Sequence, residues 1–138
     1  MKFEFEIDHI GIAVPDLAQA SKFYKILGFD KMEIEEVPSE LVRTGFLELS
    51  NQASLELLEP TTEDSVIKKF LEKRGPGIHH ICLRVKNIDD IVANLKKQGI
   101  RLINESPKLG AHNCRVIFIH PASTGGVLIE LSEPQTNV

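Results

Sequence analysis

His9-Ile-Gly-Ile-Ala-Val14 and His80-Ile-Cys-Leu-Arg-Val85 are two apolar, β-rich runs that each open on a histidine. His80 follows His9 by 71 residues, and the same spacing separates Val14 from Val85 and Gly28 from Gly99. Three landmarks holding one register mark an internal duplication. Each run is followed within a few residues by an acidic residue and then by apolar positions at helical spacing.

Working outward, the first helix begins at Asp16, whose carboxylate can accept from free backbone N–H groups, with Gln19 three residues on. Leu17, Ala20, Phe23, Tyr24 and Leu27 recur on one face before Gly28, a natural C-terminal stop. The second half repeats the device with Asn87 as cap, Asp90 three residues later, a stripe of Ile88, Ile91, Val92 and Leu95, and Gly99. Strand-like runs follow each helix: 31–37, 42–49 and 54–58, then 101–105, 115–120 and 127–131. Each half therefore reads β-α-β-β-β. Between them Thr62-Glu-Asp-Ser65 starts a connector helix over 66–73 that breaks at Gly75-Pro76-Gly77.

One such half leaves a sheet face uncovered, and a second copy can extend or close the sheet so that a cleft forms. The expected fold is α+β, two tandem βαβββ modules forming one curved mixed sheet around a metal-binding cleft. A chain of 138 residues is the size of one domain, so a single domain over 1–138 is expected, with a first module at about 5–60, the connector at about 64–75 and a second module at about 77–133.

The net charge of −4 speaks against a general nucleic-acid binder, which neutralises phosphates with clustered cations. No apolar stretch approaches the roughly 20 residues of a membrane span. Met1-Lys-Phe-Glu-Phe-Glu6 lacks the apolar core of a signal peptide, which makes the cytoplasm the expected location and membrane association unexpected. Cys82 and Cys114 are the two cysteines, far apart and outside any CxxC pattern, and read as reduced structural thiols.

Four residues could hold a metal. In each half a His opens the first strand and a Glu lies in the last, His9 with Glu56 and His80 with Glu130. Imidazole and carboxylate donors suit Zn, Ni, Co, Fe or Mn, and four protein ligands leave positions open on an octahedral ion. Adjacent strand residues face opposite ways, so one of His79 and His80 can face the cleft, and the repeat register selects His80. Glu56 and Glu59 also face opposite ways. Glu56 is preferred because it sits mid-strand while Glu59 adjoins Pro60. Glu130 is the sole polar residue of Val127-Leu-Ile-Glu-Leu131, where a lone buried carboxylate is costly unless paired.

At these residues the chain resembles the vicinal oxygen chelate superfamily (glyoxalase, bleomycin resistance protein, dioxygenase) and, within it, the methylmalonyl-CoA epimerase family. The segments carrying the resemblance are Asp8-His-Ile-Gly-Ile-Ala-Val-Pro-Asp16, Leu55-Glu-Leu-Leu-Glu-Pro60, Phe70-Leu-Glu-Lys-Arg-Gly-Pro-Gly-Ile-His-His-Ile81 and His120-Pro-Ala-Ser-Thr-Gly-Gly-Val-Leu-Ile-Glu130. The resemblance implies paired βαβββ modules, His9, Glu56, His80 and Glu130 as ligands of a divalent metal (cobalt first, then zinc, nickel or manganese), an acyl-CoA substrate, and a homodimer. It implies an epimerase that removes and returns the C2 proton of methylmalonyl-CoA through an enolate, with Glu130 as general base. It also places a second carboxylate near strand 42–46, where this chain has Arg43 and Thr44, which leaves the second proton donor open between Glu48, a metal-bound water and another group. The loops Gly110-Ala-His-Asn113 and Ser123-Thr-Gly-Gly126 are candidate walls of the cleft mouth. Two other readings follow from the same superfamily: a glyoxalase I acting on a glutathione hemithioacetal, and a metal-free protein that sequesters small molecules.

Overall fold

The structure is a computed structural model that describes residues 2–135. The ends of the domain expected over 1–138, Met1 and residues 136–138, lie outside the described residues. In chain order the elements are β1 (Phe5–Ala13), α1 (Leu17–Leu27), β2 (Glu33–Val37), β3 (Val42–Glu48), β4 (Ser54–Pro60), α2 (Val66–Arg74), β5 (Gly77–Val85), α3 (Ile88–Lys97), β6 (Lys108–Leu109), β7 (Cys114–Ile119) and β8 (Ile129–Pro134). No helix among the described residues is long and apolar enough to cross a membrane.

Two compact units emerge. One is His9–His79, and the other joins the residues before His9 to those from His80 onward. β1 and β5 therefore each pass from one unit to the other, and the crossing falls at His9 in β1 and at His80 in β5.

Within the first unit the strand order is β1-β4-β3-β2, with β1 parallel to β4 and β3 antiparallel to both its neighbours. The second unit repeats it as β5-β8-β7-β6, with β5 parallel to β8 and β7 antiparallel to both its neighbours. Each sheet is covered on one face by its helix. In the first unit Val14, Leu17, Leu47 and Leu57 form the core, with Ile12, Ala20, Tyr24 and Leu55 against it. In the second, Val85, Ile88, Ile91, Val92, Ile117, Ile119 and Leu131 do the same. α1 approaches β3 closely. A Cβ on Gly45 would lie 2.6 Å from the Met32 sulfur and 3.2 Å from a Leu17 methyl, so a side chain there would have to displace the ends of both.

The caps differ between the repeats. Asp16 accepts from the Gln19 amide at 2.9 Å, and Gly28 closes α1 at φ 113°. Asn87, expected to do the same for α3, stands in the left-handed region at φ 60° and makes no side-chain cap bond. Its backbone N–H donates instead to Glu133 Oε2 at 2.6 Å, a carboxylate supplied by β8. Glu59 on β4 plays the matching part in the first unit, accepting from the Leu17 amide at 2.8 Å. Both carboxylates sit at the positive end of a helix dipole and tie that helix to its sheet. Ser65 caps α2 by accepting from the Ile67 amide at 3.2 Å.

Three expectations are corrected. Phe23 and Leu27 were expected on the inward stripe of α1, but they are exposed, because Leu17 and Ser21 take the buried face. The run 101–105 does not form a strand: it makes one isolated bridge, Leu102 to Ile119, and the edge strand of the second unit is Lys108–Leu109. Asn104 is the reason, because its side chain takes over the ladder. Oδ1 accepts from the Phe118 amide at 2.8 Å, and Nδ2 donates to the carbonyls of Ser106 at 2.9 Å and Val116 at 3.3 Å. Finally, β8 starts at Ile129 rather than at 127, after a turn in which Gly125 and Gly126 take φ of 80° and 104°.

On the surface of the second unit, Asp89 in the first turn of α3 forms a two-pronged pair with Arg115 of β7, at 2.8 and 2.9 Å. The hydrogen bond from Arg115 holds the Asp89 carboxyl below the usual carboxylate range. A carboxyl whose pKa is lowered by folding adds stability above its unfolded value of 3.8 and loses it as pH falls through the lower folded value. Asp89→Asn is therefore expected to lower the melting temperature at neutral pH, with the difference from the unaltered chain closing as the pH is taken below that range. A gap unchanged by acid would show that the pair contributes nothing through charge.

Candidate functional site

The sheet face away from each helix carries the polar residues. In β4, Leu55, Leu57 and Glu59 share the helix face, which leaves Glu56 on the other. In β1 the register sets Gly11 beside Glu56, so His9, two residues earlier, shares that face. His9 Nδ1 and Glu56 Oε2 lie 2.9 Å apart, and both side chains are buried. The second unit repeats the arrangement. Ile129 and Leu131 face α3, Glu130 faces away, and His80 Nε2 lies 3.0 Å from Glu130 Oε1, again with both side chains buried. Each candidate carboxylate thus sits against the candidate histidine of its own half.

Why the neighbouring residues part company is visible in the alternation. His79 meets the Phe70 ring of α2 edge-on at 5.0 Å between centroids, while His80 lies beside Phe118 at 5.8 Å. Glu59 is committed to the Leu17 amide and to Arg43, whose guanidinium lies 2.8 Å from it and 3.0 Å from Glu36. The hydrogen bond to Glu36 and the charge of Glu59 push the Arg43 guanidinium up. The sequence repeats both glutamates at one spacing, which pairs them across the halves without saying which of the two faces away from the helix. Glu130 follows Glu56 by 74 residues, and Glu133 follows Glu59 by the same 74. The repeat therefore contains an inward pair and a helix-anchoring pair, offset by three residues from the spacing of the histidines.

The donor set can be tested against a divalent ion on its chemistry. Two imidazoles and two carboxylates, all held in sheet interiors, fit a borderline or hard cation such as cobalt, nickel, zinc or manganese. Their burial fits as well, since a carboxylate in an apolar strand is stabilised by positive charge or by hydrogen-bond donors.

Other candidates fall elsewhere. Thr44 is buried in β3, and Glu48 is exposed at the end of that strand. Glu40 was not singled out from the sequence, where it is one of ten acidic residues between Asp30 and Asp64. It lies in the single 3₁₀ turn Pro38–Glu40 just before β3, and its Oε1 is closed off from solvent. In the loop before β7, His112 and Asn113 take φ of 55° and 57°, a conformation that costs energy in non-glycine residues. Ser123 Oγ accepts from the Arg101 amide at 3.0 Å, which fastens the loop before β8. Neither Cys82 nor Cys114 is joined in a disulfide.

Comparison with known proteins agrees with this geometry. Residues 8–118 match the family model of the glyoxalase/bleomycin resistance protein/dioxygenase superfamily. The chain is 46% identical over 129 residues to the mitochondrial methylmalonyl-CoA epimerase of Homo sapiens, covering 92% of this chain and 73% of that protein. The crystal structure of methylmalonyl-CoA epimerase from Mycobacterium tuberculosis superposes with a TM-score of 0.84 at 40% identity, covering 94% of this chain and 88% of that one. A variant of the Streptomyces coelicolor enzyme in complex with 2-nitronate-propionyl-CoA gives 0.85 at 37% identity, covering 94% and 97%. The eight strands and three helices described above, arranged as two βαβββ repeats, are thus those of a vicinal oxygen chelate protein, and the chain belongs to the methylmalonyl-CoA epimerase family of that superfamily.

Proposed function

We propose that this chain interconverts the two C2 epimers of methylmalonyl-CoA, with His9, Glu56, His80 and Glu130 as the ligands of one divalent cation, cobalt by preference. The observation that carries the reading is the pair of buried His–Glu contacts, at 2.9 and 3.0 Å, repeated in both halves. A buried pair kept twice in a duplicated fold serves the site better than it serves stability, because apolar residues of similar volume would hold a sheet interior at least as well. The relatives named as epimerases, one of them bound to a nitronate analogue of propionyl-CoA, supply the substrate class.

The C2 proton of this substrate lies between a thioester carbonyl and a carboxylate, so its removal leaves a carbanion delocalised as an enolate. Returning a proton to the opposite face inverts the centre. When bound, the cation supplies positive charge that draws electron density from the thioester carbonyl and lowers the cost of removing that proton. The protein must provide two proton carriers and exclude water. Glu130, buried in β8, is the carrier for one face. For the other we assign Glu40. The resemblance points to a carboxylate near strand 42–46, and Glu40 lies just before that strand with an oxygen shielded from solvent, whereas Glu48 is exposed.

We further read the chain as one domain over 1–138, cytoplasmic on the strength of its two cysteines outside any disulfide, and a homodimer. Phe23, Ile26 and Leu27 leave a contiguous apolar patch on the outer side of α1, with Ile26 84% exposed, a surface suited to a self-complementary contact.

Exchange of the C2 proton of methylmalonyl-CoA in heavy water tests the function directly. Exchange is expected, stopped by chelator and restored by added cobalt; turnover of the methylglyoxal–glutathione hemithioacetal alone would overturn the assignment. Glu130→Gln should slow exchange by about 10²–10⁴-fold while leaving the circular dichroism unchanged. Glu40→Gln should leave exchange from one epimer largely intact and suppress its interconversion to the other, and equal loss from both epimers would remove Glu40 from this role. Light scattering should give twice the chain mass, falling to a single chain for Ile26→Glu.

A further inference from the structure

The edge strand β6 is two residues long. It pairs with Val116 and Arg115 of β7 and stops short of Phe118. There the outer edge of β7 is completed by residues 103 and 104 instead. The Phe118 N–H donates to Asn104 Oδ1 at 2.8 Å, and the Phe118 carbonyl accepts from the Ile103 amide, also at 2.8 Å. Asn104 Nδ2 donates to the Val116 carbonyl at 3.3 Å and to the Ser106 carbonyl at 2.9 Å. One side chain thus holds two residues of β7 and ties them to the loop that leads into β6.

Both backbone groups of Phe118 are taken up on this outer side, away from β8. In an antiparallel ladder that makes Phe118 and its partner Glu130 a non-hydrogen-bonded pair, the kind whose side chains stand closest. Ile117 and Ile119 belong to the core under α3, which puts the Phe118 ring on the face of Glu130. On that face the ring meets the His80 imidazole at 79°, with 5.8 Å between centroids, and the Lys108 ammonium lies over the same ring at 5.8 Å. His80 Nε2 in turn lies 3.0 Å from Glu130 Oε1. Contacts therefore run from the side chain of Asn104 through Phe118 to the proposed ligand and proton carrier of this half.

We propose that Asn104 is a positioning residue for the His80–Glu130 pair and acts through the Phe118 ring, which limits the angle at which the imidazole is presented. This rests on the metal-ligand reading above. Groups behind a ligand that fix its orientation typically change metal affinity or activity by about 10–100-fold when removed. A hydrogen bond that served only the sheet edge would show in stability alone.

The test compares Asn104→Ala, which removes all three side-chain bonds, with Phe118→Leu, which removes the ring and keeps the backbone, and with the two combined. Asn104→Asp, nearly the same shape, keeps the acceptor for Phe118 but sets a carboxylate oxygen where Nδ2 faced two carbonyls; it should show the same changes and serves if the alanine variant does not fold. Four quantities are read: cobalt affinity against a competing chelator, the visible absorption of the bound cobalt, kcat for C2-proton exchange, and the His80 imidazole resonances of the metal-free chain. Each single variant should weaken cobalt binding and lower kcat by roughly tenfold, and the double variant should lose no more than the worse of the two. Asn104→Ala should also move the His80 resonances, and should cease to move them once Phe118 is replaced by leucine. Losses that multiply in the double variant would overturn the proposal. So would a lowered melting temperature with cobalt affinity, absorption and His80 resonances all unchanged. His80 resonances that follow this pattern in a chain exchanging no methylmalonyl-CoA would uphold the positioning role and overturn the epimerase reading instead.

Discussion

A carboxylate removed from water must find a proton, a cation or a strong hydrogen-bond donor, and this fold places one such group in the last strand of each half. Glu56 and Glu130 sit in apolar strands whose neighbours face a helix-covered core. Each is met by a histidine of the parallel partner strand, His9 of β1 or His80 of β5. Desolvation of an unpaired carboxylate costs several kcal/mol, comparable to the whole margin by which domains are stable. Strand register is therefore constrained in both units: a slip of one residue would turn Glu56 toward the Leu17 core and expose Leu57 in its place.

The helices are held by the same kind of group on the opposite face. Glu59 and Glu133 each leave the sheet on the helix side, three residues beyond the inward glutamate, and accept from the first backbone amide of α1 or the cap amide of α3. Arg43 reinforces the first contact directly, while in the second unit Arg115 reaches Asp89 in the opening turn of α3. An alternating strand can do two jobs at once because its faces are independent, so one β4 or β8 presents an interior carboxylate to one side and an anchor to the other.

Much of this could be read before any coordinates. The 71-residue register of His9 and His80 announced the duplication, and helical spacing with terminal glycines located α1 and α3. What escaped did so for definite reasons. Asn104 turns a strand-like run into a loop because a side chain, which no periodicity reports, imitates backbone. Asn87 makes no side-chain cap because its backbone stands in the left-handed region, φ 60°, and not in the extended region a capping side chain uses. Phe23 and Leu27 are apolar yet exposed, and a hydrophobic stripe broad enough to wrap the helix does not say which edge faces inward. Glu40 was hidden among many acidic neighbours, and only the closing of its surroundings distinguishes it. The roles of His9, Glu56, His80 and Glu130 rest on the repeat and on their pairing within each half.

The division of β1 between two units also orders events at the ribosome. Residues 9–79 hold a complete set of mutual contacts and can condense as soon as they emerge. Phe5–Asp8, although made earlier, belong with the chain from His80 onward, and the salt bridge of Asp8 to Arg84 closes only then. Phe5–Asp8 must therefore wait for the chain around His80 to be made, which gives a chaperone a long interval in which to bind that short segment.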